Sequence, residues 1–279
     1  NYLHRVNNNA IMSTFNDQIL ITWDEKERRQ IMKNMMKKAV VLALAGTMAM
    51  GIFAGCGKSS DTLVMATNAT FPPYEYHEGN SIVGIDVEIA NAIGEKIGKK
   101  IEIEDVEFDS IVAGVQSGKY DFGMAGMTVT DERKKNVNFS DPYTTAVQSV
   151  IVPEDSAIAS VDDITSDMKI GVQQGTTGDI YASGDYGEDA VTKYKSGPDA
   201  VQALLAGKVD LVIIDNQPAK SYVAANEGLK ILDTAYAEEE YVIAINKQND
   251  ELLKEVNTAL SELQADGTID SIIKKYIKD

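Results

Sequence analysis

Cysteine is nearly missing from this chain. Its 279 residues contain one, Cys56, which excludes an internal disulfide. Two histidines, His4 and His77, leave too little His and Cys for a zinc site. Basic charge is also scarce, with 26 Lys and Arg against 43 Asp and Glu and a formal charge of −17. Phosphate backbones would repel such a chain, so nucleic acid is excluded as a partner. Only 6 prolines and 21 glycines are present, which excludes collagen-like and low-complexity sequence. Long apolar runs are missing except for one, so the chain is no multi-span membrane protein. What remains is 44% hydrophobic and 25% charged, the balance of a globular protein large enough for two lobes.

The single apolar run stands apart from the rest. Residues 39–56 carry no charge, and Lys33, Lys37 and Lys38 lie just before them. A basic start, an apolar stretch and the small residues Ala54-Gly55 ahead of Cys56 read as an export signal with its cleavage site. A transmembrane anchor and a buried helix compete with that reading. The run is rich in Gly and Ala, however, and the polar Gly57-Lys58-Ser59-Ser60-Asp61 follows it. Phe53-Ala54-Gly55-Cys56 resembles the lipobox of bacterial lipoproteins, although Phe53 stands where a small aliphatic residue is usual. This resemblance implies a lipid on Cys56 and contact with the membrane through that anchor alone. The protein is then expected on the outer face of the cytoplasmic membrane or in the periplasm. Met32, Met35 and Met36 all offer start sites. Residues 1–34 are accordingly read as upstream sequence, 35–55 as signal peptide and 56–60 as linker. From Cys56 onward, 39 acidic residues stand against 19 basic ones.

The remainder alternates strands and helices. Strand-type runs occupy residues 62–67, 101–106, 120–125, 169–172, 191–194 and 209–214. Helical patterns fall at 85–93, where Ile85, Ile89 and Ile93 share a face, and at 110–118, 176–182, 199–206 and 218–226. This order predicts an α/β protein with mostly parallel sheets flanked by helices. A short internal echo suggests two similar lobes: Gly118-Lys119-Tyr120-Asp121-Phe122 matches Gly207-Lys208-Val209-Asp210-Leu211. A plain requirement for a glycine helix stop before each strand accounts for it equally. Two further strand-like runs lie at 146–152 and 241–245; the extended segments just before them read as the crossovers that join the lobes, and helices at 251–263 and 269–276 return to the first. The expected division is 61–145 with 238–279 as lobe one and 146–237 as lobe two, hinged about a cleft.

In such sheets a ligand sits beyond the carboxyl ends of the strands. After 120–125 come Gly126, Met127 and Thr128, with Thr130 as a helix cap and Arg133 one turn later. Arg133 is either a bidentate donor to a carboxylate or a surface partner of Asp131, Glu132 or Asp141. Asp215 ends an apolar strand, where it either holds an ammonium group or caps the following helix. Gln173, Thr176 and Thr177 lead into a helix whose free N–H groups suit an anion, or form an ordinary capped turn. Phe71, beside Pro72 and Pro73, is a stacking wall or a hydrophobic plug.

Together these segments resemble the polar amino acid-binding proteins of ABC importers, extracellular solute-binding protein family 3. The resemblance rests on residues 67–76 (with Asn68, Phe71 and Glu75), Gly84-Ile85-Asp86, Phe108-Asp109, 126–133, 139–143, 171–177 and 209–215, and covers roughly 61–278. It implies a two-lobed periplasmic-binding-protein-like fold of type II. It also implies that Arg133 and the Thr177 amide hold the ligand α-carboxylate, and that Asp215, the Gly126 carbonyl and Thr128 hold the α-ammonium. Phe71 and Phe108 would enclose the side chain, with Asn68 and Gln173 tuning preference. Relatives taking cationic ligands often have an acid where Asn68 stands, though Glu75 can also reach the pocket. The expected partners are a free amino acid and a membrane permease, the expected state a monomer, and no metal, cofactor or catalytic residue is assigned. Cyclohexadienyl dehydratases of similar fold leave an enzyme as the alternative, and a receptor sensor module is a third reading.

Overall fold

The structure is a computed structural model that describes residues 61–278. The export segment and Cys56 lie outside the described residues.

Each lobe is built on one sheet. The first starts with β1 (Thr62–Thr67) and β5 (Lys100–Asp105), paired in parallel from Thr62 opposite Lys100 to Thr67 opposite Asp105. Met65 and Ala66 of β1 are fully buried, whereas β5 alternates half-buried and exposed residues as an edge strand does. On the other side of β1 lies β6 (Phe122–Gly123), also parallel. It is followed by β14 (Ala244–Asn246) and β7 (Val137–Phe139), both joined antiparallel. A small meander stands beside this sheet: β2 (Thr70–Phe71), β3 (Glu75–Glu78) and β4 (Ser81–Val83).

The second sheet repeats the plan. Its order begins β10 (Val191–Tyr194), β9 (Ile170–Gln173) and β11 (Leu211–Asp215), all parallel. Every residue of β9 and β11 is buried, because helices cover both faces. The long β8 (Thr144–Pro153) then pairs antiparallel with β11, β12 (Leu229–Ile231) and β13 (Ala237–Tyr241). Each sheet thus has a parallel half and an antiparallel half.

Helices fill the crossovers. They are α1 (Ile85–Ile97), α2 (Phe108–Gln116), α3 (Asp131–Asn136), α4 (Thr177–Tyr186), α5 (Gly197–Leu205) and α6 (Asn216–Ala225). After β14, α7 (Asp250–Ala265) and α8 (Thr268–Tyr276) pack on α1, burying Leu252, Val256 and Leu260 against its Ile face. The internal echo has a structural cause. Gly118 (φ +76°) and Gly207 (φ +64°) each close a helix, with Lys119 N–H on Gly114 O at 3.0 Å and Lys208 N–H on Ala203 O at 2.9 Å. Two residues further on, Asp121 accepts from Val64 N–H and Asp210 from Lys169 N–H, both at 2.7 Å. The same helix stop and the same strand-start clamp therefore occur once per lobe.

Two expected strands differ. The run at 120–125 narrows to β6, although Met124 N–H still reaches Ala66 O at 3.1 Å. The run at 241–245 is divided between β13 in one sheet and β14 in the other. Burial on both sides keeps it apolar throughout, so hydropathy gives no sign of the change of sheet: Tyr241, Val242, Ile243, Ala244 and Ile245 are all buried.

Candidate functional site

A partly enclosed cavity lies where the carboxyl ends of β1, β6, β9 and β11 meet. Asn68, Phe71, Glu75, Phe108, Gly126, Thr128, Arg133, Gln173, Thr176, Thr177 and Asp215 all line it. The topology therefore brings ten of the eleven ligand-site residues expected from the sequence to one place. Met127 is the exception. Its side chain points the other way, into the apolar cluster with Phe108 and Ile111, and is fully buried there. The chain bends at Ala125 and Gly126, where Gly126 takes a φ of +52°, and past that bend Thr128 lines the cavity while Met127 packs into the core.

Arg133 is held by its own helix. Thr130 caps α3 by accepting from Arg133 N–H at 3.1 Å, as its position in the sequence predicts. The surface ion pairs form without Arg133, since Asp131 meets Lys134 and Glu132 meets Lys135. Arg133 is 7% exposed, and its guanidinium gives Nη1 to Thr128 O and Nη2 to Gly175 O at 2.9 Å. Its carbon lies 5.3 Å from the Phe108 ring centroid. Burial lowers its pKa to about 10, which leaves it charged at neutral pH. A buried cation satisfied by carbonyl oxygens alone keeps its electrostatic demand for an anion.

Asp215 occupies the N-cap position of α6, but its carboxylate makes no cap bond. It turns instead to the interlobe wall, accepting from Tyr241 O–H at 2.5 Å and Gln148 Nε2 at 2.8 Å. Burial, with the neighbouring Glu239 charge, raises its pKa to about 7 against the pull of those two donors. Thr176 caps α4 through Asp179 N–H, and Thr177 opens the helix toward the cavity. The Thr177 hydroxyl donates to Glu239 Oε2 at 3.0 Å. The Thr128 hydroxyl is buried and has no partner.

Gly126 is required by geometry. Its φ is +52°, and a Cβ there would come within 2.8 Å of the Phe71 ring. Its N–H donates to Asp86 Oδ2 at 2.9 Å. Glu75, on β3, was named from the sequence only as an acid within reach; it is fully buried with neither carboxyl oxygen receiving a donor. Gln148, Glu239 and Tyr241 were not singled out at all. They sit on β8 and β13, where apolar neighbours hide them, and a buried Glu in the run Glu238-Glu239-Glu240 reads as solvated charge.

Comparison with known proteins gives this geometry a context. The family model described as bacterial extracellular solute-binding proteins, family 3, matches residues 63–279. The arginine-binding extracellular protein ArtP of Bacillus subtilis (strain 168) is 34% identical over 253 residues, covering 86% of this chain and 98% of that protein. The ABC transporter glutamine-binding protein GlnH of the same organism is 29% identical over 269 residues, covering 88% and 98%. Among solved structures, an ancestral arginine-binding protein bound to glutamine superposes with a TM-score of 0.74 at 40% identity, covering 79% of this chain and all of that one. All three are binding proteins rather than enzymes, and the match spans both lobes. This chain is an exported amino-acid-binding protein of the ABC-importer type and belongs to the bacterial extracellular solute-binding proteins of family 3.

Proposed function

We propose that the cavity takes one α-amino acid with a polar or basic side chain, and that closure around it presents the loaded protein to a membrane permease. One observation carries this reading. A buried guanidinium from lobe one, Arg133, and a buried carboxyl group from lobe two, Asp215, line the same partly enclosed hollow. Those are the two charges that grip the two ends of a zwitterion. Arg133 and the Thr177 amide bind the α-carboxylate, while Asp215, the Gly126 carbonyl and the orphan Thr128 hydroxyl bind the α-ammonium. Phe71 and Phe108 flank the side chain, and Asn68, Gln173 and Glu75 meet its polar end. The named specificities of the relatives, arginine and glutamine, fit such an end.

The ligand bridges lobe one (61–145 with 238–279) and lobe two (146–237), and its contacts with both favour the closed state. A lipid on Cys56 keeps the protein, acting as a monomer, beside its permease. A thermal-shift screen over the common amino acids tests the reading. A ligand at 100 times its Kd stabilises by about 2.7 kcal/mol, a readily measured rise in Tm. A panel in which no amino acid shifts Tm or gives heat on titration overturns it.

A further inference from the structure

Two carboxyl groups that the α-amino acid clamp does not use lie against each other at the cavity wall. Glu75 on β3 and Asp86 on α1 are both fully buried and are brought together by the close backbone approach at Gly84, so that their carboxyl groups interact. Two carboxylates cannot share a hydrogen bond unless one of them carries a proton. The surrounding donors decide which one does. Asp86 accepts Gly126 N–H at 2.9 Å and Tyr143 O–H at 2.9 Å. Glu75 receives no donor on either oxygen. Negative charge is stabilised on Asp86, and the proton belongs to Glu75, which donates it to Asp86.

The backbone fixes this pair. Ile85 N–H and Asp86 N–H bond Pro73 O and Tyr74 O, both at 3.0 Å, tying the start of α1 to the start of β3. Gly84 (φ +132°) permits the approach, because a Cβ there would fall 2.2 Å from Tyr74 O. The groups facing Glu75 are Asp86 from α1, Asp105 at the end of β5, Asp215 at the end of β11, Tyr74 beside it, Tyr143 ahead of β8 and Tyr222 from α6. Arg133 from α3 lines the same cavity. Burial and the adjacent Asp86 raise Glu75 well above the usual carboxyl range, and burial raises Asp86 to about 6.

We infer that Glu75 is a proton-exchange residue that reads the charge of the ligand side chain. A cationic side chain displaces the Glu75 proton to solvent and pairs with the carboxylate left behind. A neutral side chain leaves the proton in place and accepts a hydrogen bond from it. This inference rests on the amino-acid clamp proposed above. It explains how one pocket can meet both a guanidinium and an amide without an acid at position 68.

The test compares arginine with citrulline, its uncharged counterpart of nearly equal shape. Titration calorimetry of the unmodified protein in buffers of different ionisation enthalpy counts the protons released. Asp215 meets the α-ammonium of both ligands and contributes equally to both counts. Arginine is expected to release about one proton more than citrulline. Its preference over citrulline should rise up to about tenfold per pH unit through neutrality. Glu75→Gln, whose amide can replace the shared proton toward Asp86, should abolish the extra proton and cut that preference at least about tenfold. Equal proton release by the two ligands in the unmodified protein overturns the inference and leaves the clamp standing. Failure of every amino acid to bind overturns the clamp, and this inference with it.

Discussion

The side-chain amide of Gln173 donates to Asn68 Oδ1 at 2.8 Å, joining the end of β9 in the second sheet to the end of β1 in the first. Asn68 is held from its own side, with Nδ2 on Val106 O at 2.8 Å and Thr70 Oγ1 on Oδ1 at 2.9 Å. Gln173 Nε2 also donates to Lys195 O at 3.3 Å, so each partner is anchored on its own side, and separation of the two sheets would break the bond between them. Gln173→Ala removes a buried hydrogen bond worth about 1 kcal/mol, all of it from the closed state. Ligand affinity is expected to fall about fivefold, and scattering of the ligand-free protein should report a larger radius of gyration. An unchanged radius and affinity would assign the bond no part in closure.

Arg133 and Asp215 are expected to dominate affinity. Removing one partner of a buried charge pair costs about 3–5 kcal/mol, because the other charge is left unmatched. Arg133→Ala and Asp215→Ala should each weaken amino acid binding by roughly two to three and a half orders of magnitude in calorimetry, converting that cost at about 1.4 kcal/mol per decade. Circular dichroism should be unaltered, since both side chains line the cavity rather than the cores of the sheets. Retained binding in both variants refutes the clamp.

Much of this was legible beforehand, for identifiable reasons. Thr130 and Arg133 could be placed because an N-cap and its first turn are local in sequence, and the structure holds them in that relation. The Schellman stops at Gly118 and Gly207 were legible as a repeated string. Glu239 was not, because its burial depends on strand β13 pairing with β8, where Glu239 lies opposite Ala146. Asp86 could be quoted as part of a motif, but its contact with Glu75 arises from a backbone approach at Gly84 that side-chain patterning does not encode. Met127 shows the opposite failure: adjacency in sequence to Gly126 and Thr128 placed it in the site, whereas the bend at Gly126, which no residue pattern encodes, leaves its side chain in the core.

Thr128 offers a substitution with opposite effects on the empty and loaded protein. Its buried hydroxyl has no partner, so the ligand-free fold carries a desolvated polar group. Thr128→Val keeps the shape and removes that group. The ligand-free Tm should stay level or rise, while affinity falls about tenfold through loss of a bond to the α-ammonium, worth about 1.5 kcal/mol. A fall in both would mean that the hydroxyl already has a partner in solution.

The pH dependence of stability should carry the signature of Asp215. Burial, helped by the Glu239 charge, raises its folded-state pKa to about 7 from 3.8. Between those values the folded state binds more protons than the unfolded chain. The contribution of Asp215 to stability is therefore full below about pH 4 and is lost as pH rises through 7, by at most about 4 kcal/mol. A ligand ammonium reverses the balance, since it favours the ionised carboxylate. The ligand-free protein should then lose more Tm between pH 5 and 8 than its Asp215→Asn variant does. Over the same range, the Tm gained on adding a bound amino acid should grow in the unmodified protein. Carboxylates with lowered pKa, such as Glu88 and Asp266, act in the opposite direction, and comparison with the variant removes their common effect. Parallel Tm curves for the two proteins would mean that Asp215 is already ionised in the empty cleft, with its charge met by a group other than the ligand.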